Sequence, residues 1–160
     1  MTARALALLA AFGSALLLAG AFAFQMAGYL PCKMCLWQRW PHGVAIALGL
    51  VVPLLPLTPV ALAGAAATAT TAGIGVYHTG AERGWWEGPS SCTGAGSGLG
   101  GMTGADMLST DGPLGVVRCD EVVWQFLGLS MASWNAVLSL VLTALWIAAA
   151  LRARSDRRAV

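Results

Sequence analysis

Residues 40–81 read WPHGVAIALGLVVPLLPLTPVALAGAAATATTAGIGVYHTGA, a run of 42 residues without an aspartate, glutamate, lysine or arginine. A helix that crosses a membrane needs about 20 apolar residues, so this run can hold two of them. Pro53, Pro56 and Pro59 stand close together near its middle. Prolines end helices because they lack an N–H and clash with the preceding turn. The run therefore predicts a helical hairpin with spans at about 41–56 and 59–79.

Two further uncharged runs, residues 5–32 and 122–151, flank the hairpin. Each is long enough for one span, and we place these spans at about 5–29 and 129–151. Only 10% of the 160 residues are charged, whereas soluble domains carry roughly 25%. Such a chain cannot cover itself with polar surface in water. We therefore expect an all-α integral membrane protein, with one four-helix bundle formed by residues 1–160.

The basic residues predict how the bundle is oriented. Arg4 precedes the first span, and four arginines against one aspartate follow the last span. The segment between His78 and Ser130 instead holds two arginines and six carboxylates. Because basic residues concentrate on the cytoplasmic side, both termini are predicted to be cytoplasmic. If the membrane is a bacterial inner membrane, the opposite side is the periplasm. The loops at about 30–40 and 80–128 are then periplasmic.

All four cysteines, Cys32, Cys35, Cys92 and Cys119, fall in these two loops. The periplasm is oxidising, so disulfides persist there. The C-x-x-C pair CKMC can form a strained, reducible disulfide within one turn. Two other interpretations stay open. The cysteines could form two structural disulfides, although CKMC closes too small a loop to constrain much chain entropy. They could also bind a metal through four thiolates, or through thiolates with His78, although the second cysteine pair lacks the short spacing of zinc knuckles.

Arg39 lies four residues after Cys35, on the same face of any helix that begins near the CxxC pair. A fixed cation at that place favours a thiolate and attracts the negative charge of a reduced electron acceptor. The alternative is that Arg39 only anchors the chain at the membrane surface, with Trp37 and Trp40 beside it as part of an aromatic belt.

Four segments resemble the disulfide bond formation protein B (DsbB) family. PCKMCLWQRW, at residues 31–40, is similar to its Pro-Cys-x-x-Cys with an arginine four residues later. VYHTG, at 76–80, resembles a Tyr–His pair near the quinone site of that family. CDEVVWQFLGLSMASW, at 119–134, resembles the segment that holds its fourth cysteine. GWWEGPSSC, at 84–92, resembles a segment before its third cysteine in some members.

The resemblance implies a thiol:quinone oxidoreductase that reoxidises a periplasmic oxidase of the DsbA type. It implies two resting disulfides, Cys32–Cys35 and Cys92–Cys119. The reduced partner would attack Cys92, and the released Cys119 would attack Cys32. Cys35 would then face a membrane quinone, either ubiquinone or menaquinone, and pass the electrons on.

The resemblance further implies that Arg39 and His78 contact the quinone, with Gln38 and Met131 lining its pocket. Two features depart from the family pattern. Gln38 stands where a carboxylate is common, and the loop after Cys92 is rich in glycine and lacks a clear apolar-basic helix. The competing function of another class is a small membrane scaffold or subunit that disulfides stabilise and that has no redox turnover.

Overall fold

Four long helices make up most of the chain in this computed structural model, which describes residues 1–89 and 118–158. We number them in chain order: α1 (Ala3–Met26), α2 (Lys33–Val51), α3 (Leu57–Glu82) and α4 (Met131–Arg158). Helix α3 packs against α2 and α4, and α1 packs against the same two helices. The expected four-helix bundle is confirmed.

Small residues let the helices approach closely at the core of the bundle. Trp146 on α4 is fully buried in a cluster composed mainly of alanines. Its indole ring packs directly on Gly64 of α3, where an added Cβ would come within 2.5 Å of the ring. The indole fits because position 64 lacks a side chain. Small residues at helix contacts are typical of membrane bundles, since close packing supplies the attraction between helices there.

Helices α1, α3 and α4 are long and apolar enough to cross a membrane, with 24, 26 and 28 residues. Helix α2 has 19 residues and carries Lys33, Gln38, Arg39 and His42 in its first half. Its apolar part is therefore shorter than those of the other three helices. The predicted second span at about 41–56 differs from this helix, because α2 starts earlier and ends at Val51.

The start of α2 corrects the expectation of a loop over residues 30–40. The helix begins at Lys33 and runs through Pro41 without a break. Cys32 caps it, since its sulfur accepts a hydrogen bond from the backbone N–H of Cys35 at 3.3 Å. A side chain that satisfies a free N–H at a helix start stabilises the first turn. The CxxC motif is therefore an N-terminal helix cap.

A short β-hairpin before α4 was not expected from the sequence. Strand β1 (Gln125–Phe126) pairs antiparallel with β2 (Leu129–Ser130). The two turn residues, Leu127 and Gly128, have positive φ angles of 52° and 75°. Such angles suit tight two-residue hairpins, because the twist of the turn then matches that of the strands. The hairpin brings aromatic side chains over the end of the bundle.

Candidate active site

Cys32 and Cys35 lie together at the N-terminus of α2 as free thiols. Their sulfurs are 3.1 Å apart, and a disulfide has an S–S distance of about 2.05 Å. An approach of about 1 Å would therefore allow the bond to form. Cys32 is buried, and the helix N-terminus places partial positive charge at its sulfur. Such a site favours a thiolate.

His78 and Glu82, one turn apart on α3, face Cys32. His78 Nε2 lies 3.6 Å from Cys32 Sγ and 3.8 Å from Glu82 Oε1. A hydrogen bond from the Cys35 thiol lowers the pKa of Cys32 to about 4; burial opposes this shift, and the contact with His78 adds to it. The lowered pKa of Cys32 means that this site favours the thiolate on Cys32 over the thiolate on Cys35.

Cys119 joins the same buried cluster as the CxxC pair. It packs with Cys32, Met34 and Ala81, and Cys35 contacts the cluster. Cys119 is fully buried and disulfide-bonded, while Cys32 and Cys35 are free thiols and so are not its partners. Cys92, the fourth predicted catalytic cysteine, lies outside the described residues. The fold thus brings three of the four predicted cysteines to one end of the bundle.

An apolar cavity of about 390 Å³ opens beside Cys35, between α1, α2, α4 and the hairpin. Leucines of α1 and aromatic residues of the hairpin region contribute to its wall. Its wall also includes the predicted pocket residues Gln38, Arg39 and Met131. His78 lies behind Gln38, which bonds to its Nδ1 atom at 3.0 Å. The structure therefore places His78 beside Cys32, one side chain away from the cavity.

Arg39 links α2 to α1 at the edge of the cavity. Its guanidinium donates hydrogen bonds to Gln25 Oε1 at 2.7 Å and to the Ala21 carbonyl at 3.4 Å. It also lies 4.8 Å from the ring centre of Phe22. The buried Nε atom of Arg39 has no hydrogen-bond partner within the part of the chain that the structure describes. The guanidinium therefore keeps N–H donors that the described residues do not use.

Sequence reasoning missed three polar residues of this site, His42, Asn135 and Glu82. His42 and Asn135 line the cavity and contact each other at 2.9 Å, from Nε2 to Oδ1. Glu82 lies buried beside His78 and accepts a hydrogen bond from Ser130. Their polarity was a signal in the sequence, because polar and ionisable side chains in membrane helices usually face the bundle interior and mark functional positions.

Three possible metal ligands also meet here. Cys32 Sγ, Cys35 Sγ and a ring nitrogen of His78 lie within 4.8 Å of one another. Structural zinc takes four protein ligands, and residues 1–89 and 118–158 offer three in this group. The cluster also differs from the four-thiolate site considered above, because it omits Cys119.

Comparisons with known proteins agree with this geometry. The profile of the family "Disulfide bond formation protein DsbB" matches residues 3–149. A disulfide bond formation protein B of Verminephrobacter eiseniae is 35% identical, with 89% of this chain and 84% of the relative covered. One of Azoarcus sp. is 30% identical, with 86% of each covered. No solved structure matches the chain. The chain belongs to the DsbB family of disulfide bond formation proteins.

Proposed function

We propose that this protein is a quinone-dependent oxidoreductase that reoxidises a periplasmic DsbA-type thiol oxidase. One observation carries the proposal: Cys35 of the CxxC pair stands with Arg39 at the wall of an apolar cavity within a membrane bundle, 3.1 Å from the Cys32 sulfur. A structural disulfide has no need of a cavity at its sulfur. An electron acceptor that dissolves in the membrane does, because its ring must come close to the thiol.

The cavity suits a quinone in size and polarity. Its volume of about 390 Å³ lies within the range of about 300–1,000 Å³ that is usual for small-molecule sites. Its wall is apolar except for a few side chains, among them Arg39, whose guanidinium carries a permanent charge. When bound, ubiquinone or menaquinone would accept two electrons and two protons. Cys35, Arg39, Gln38 and Met131 would hold the ring.

The cysteines would pass one pair of electrons inward. A thiolate of the reduced partner attacks Cys92 and releases Cys119 as a thiolate. Cys119 attacks Cys32, breaks the Cys32–Cys35 bond and releases Cys35 as a thiolate. The packing of Cys119 against Cys32 supports this second step. The second thiolate of the partner then attacks the partner's own sulfur in the mixed disulfide, so the partner leaves oxidised and Cys92 is freed. Cys92 attacks Cys119, which re-forms Cys92–Cys119 and frees Cys32. Oxidation of the Cys32 and Cys35 thiols by a bound quinone would re-form their bond, so that two electrons and two protons would pass from the partner's thiols to quinol.

The negative charge changes place during this sequence. With both cysteines reduced, Cys32 holds the charge, because Cys35 and His78 donate to it. When Cys32 is bonded to Cys119 it carries no charge, and the pair's charge lies on Cys35 at the cavity wall. Arg39 then favours the thiolate by its permanent charge, since guanidinium does not deprotonate in proteins. The cation matters most at the step that faces the quinone.

Reoxidation of the partner needs a strong oxidant in contact with the Cys35 thiolate. DsbA is a strong oxidant at about −120 mV, so ordinary disulfides do not regenerate it efficiently. A quinone can supply the oxidising power only where the thiolate contacts it directly. The free Cys35 thiol on the cavity wall is suited to that contact.

We further propose a bacterial inner-membrane location with both termini cytoplasmic. Reporter fusions at residues 56 and 158 should both give cytoplasmic signals, and a fusion at residue 100 should give a periplasmic one. The reason is the arginine asymmetry across the bundle. Alkaline phosphatase and fluorescent-protein reporters read the two sides independently. A periplasmic signal at residue 56 or 158 would refute the orientation.

Replacing Cys119 by alanine should trap the soluble partner on Cys92. The change removes the thiol that the partner's attack would release, so the mixed disulfide accumulates. Non-reducing electrophoresis followed by peptide mass spectrometry identifies the linked cysteine. The same variant carrying Cys92→Ser is the control and should trap nothing. A partner linked to Cys32 would show that the order of the cysteines is wrong.

The scaffold alternative predicts stable disulfides and no quinone reduction. The position of the Cys35 sulfur on the cavity wall, 3.1 Å from the Cys32 sulfur, favours redox turnover over that alternative.

A further inference from the structure

A buried chain of polar side chains connects three helices and ends at the CxxC sulfur. His42 Nε2 lies 2.9 Å from Asn135 Oδ1, Asn135 Nδ2 lies 2.6 Å from Gln38 Oε1, and Gln38 Nε2 lies 3.0 Å from His78 Nδ1. His42, Gln38 and His78 are 3%, 6% and 3% exposed. Buried polar groups are costly in an apolar bundle unless each is paired, so such a chain needs matched donors and acceptors.

The direction of the bonds around Gln38 can be assigned. Gln38 places one atom of its amide 3.3 Å from the backbone carbonyl of Met34. A carbonyl only accepts, so this atom must be the amide nitrogen. The same nitrogen faces His78 Nδ1, to which its second N–H is directed. The His78 Nδ1 atom is therefore the acceptor, and it carries no proton.

Thr71 fixes the direction of the next bond independently. Its hydroxyl donates its one proton to the backbone carbonyl of Gln38 at 3.1 Å. Its oxygen must then accept from the atom of Asn135 that lies 3.2 Å away, which is the amide nitrogen. That nitrogen also donates to Gln38 Oε1. Asn135 Oδ1 is left to accept from His42, so all bonds in the chain run from His42 toward His78.

The acceptor role of His78 Nδ1 determines which atom of His78 faces the sulfur of Cys32. A neutral imidazole carries one proton, and which nitrogen holds it is set by the hydrogen bond at the other nitrogen. With Nδ1 as acceptor, the proton of His78 is on Nε2. Nε2 is the atom that lies 3.6 Å from Cys32 Sγ, so it donates to the thiolate. The opposite tautomer would direct a lone pair at the thiolate and would repel it.

We propose that Gln38 and Asn135 are positioning residues that hold His78 in the Nε2–H tautomer, so that its N–H faces Cys32. The chemical use of that N–H rests on the proposed function, in which the sulfur exchanges disulfides. The tautomer itself does not. The resemblance to the family gives Gln38 only a place in the quinone pocket, whereas the hydrogen bonds give it a defined partner on the other side.

The test is the ¹⁵N NMR spectrum of the reduced, full-length protein in detergent, labelled at histidine. The chain has two histidines, so two imidazoles appear, and variants assign them. The wild type should show His78 with Nε2 protonated and Nδ1 unprotonated. This arm needs neither substitution nor quinone. A protonated Nδ1 in the wild type would overturn the proposal.

Two variants test whether Gln38 sets the tautomer. Gln38→Glu places an acceptor at Nδ1, so Nδ1 should gain a proton. Gln38→Met removes the donor, so His78 should populate both tautomers. If His78 keeps Nδ1 fully unprotonated in both variants, its other neighbours set the tautomer and the proposal is wrong. Gln38→Met also covers the case in which the buried charge of Gln38→Glu prevents folding.

Thr143→Val is the matched control. Thr143 lies on α4, as Asn135 does. Its hydroxyl makes partly buried hydrogen bonds to Thr68 and to the Ser139 backbone carbonyl, and it is not a member of the hydrogen-bonded chain from His42 to His78. Its loss should leave the His78 spectrum unchanged. Because the spectra require no acceptor, a wild type with the expected tautomer but without quinone reduction would refute the proposed function alone. Quinone reduction with the opposite tautomer would refute only this inference.

Discussion

Replacing Cys35 by serine is expected to abolish quinone reduction, with a loss of about 10⁴-fold or more, the scale seen when a covalent nucleophile is removed. Cys35 is the CxxC sulfur on the cavity wall, and a serine hydroxyl forms no disulfide. The reaction of the partner at Cys92 should survive for one turnover, because it uses a different disulfide. Quinone absorbance and the redox state of the partner are followed together.

Thr70→Val is a suitable control for this variant. Thr70 is exposed on α3, and its hydroxyl donates to the backbone carbonyl of Ala66 one turn earlier. Its loss should change neither readout. If the Cys35→Ser protein retained more than a tenth of wild-type quinone reduction, electrons would have to reach the acceptor by another route.

Replacing Arg39 by alanine should slow the quinone step about 10- to 100-fold. A hydrogen bond to a charged group contributes roughly 1.5–3 kcal/mol, which corresponds to that factor in rate. The loss should appear as a higher quinone KM or a lower kcat. Formation of the mixed disulfide at Cys92 should stay near normal. The rate of the quinone step in Arg39→Lys should lie between the rates of the wild type and of Arg39→Ala. Lysine keeps the charge but cannot reproduce the forked guanidinium that reaches Gln25 and the Ala21 carbonyl.

Arg83→Ala is the matched control for charge. Arg83 follows α3, lies 5.4 Å from the ring centre of Trp85, and is not part of the cavity wall beside Cys35. Its loss should leave quinone kinetics unchanged. The competing interpretation, a membrane anchor, predicts less inserted Arg39→Ala protein but normal kinetics per inserted molecule. Normal kinetics in Arg39→Ala would therefore refute a role in the quinone step.

The helical bundle could be predicted because its signals are local. Uncharged runs and clustered prolines marked the helices within the sequence, and the bundle formed as expected. Helix α2 starts earlier than the span predicted from about residue 41. Its cap is Cys32, and cysteine is not among the usual capping residues, so no capping signal marked that start in the sequence. The hairpin escaped prediction because its strands have two residues each, too few for a periodic pattern.

The site could be predicted only where its residues are neighbours in sequence. Cys35, Gln38 and Arg39 share one helix face, and the spacing placed them together. Asn135 bonds to Gln38 across 97 positions of the chain, and no local pattern reports such a contact. The same holds for Glu82 and Ser130, 48 residues apart, which the packing of α3 against α4 brings together.

The most direct test of the central claim mixes the purified protein with a reduced DsbA-type partner and a soluble quinone under anaerobic conditions. We expect one quinol to form for each partner disulfide, with turnover that stops when quinone runs out. Oxidation of the partner without quinone consumption, or no oxidation by a protein whose four cysteines are intact, would contradict it.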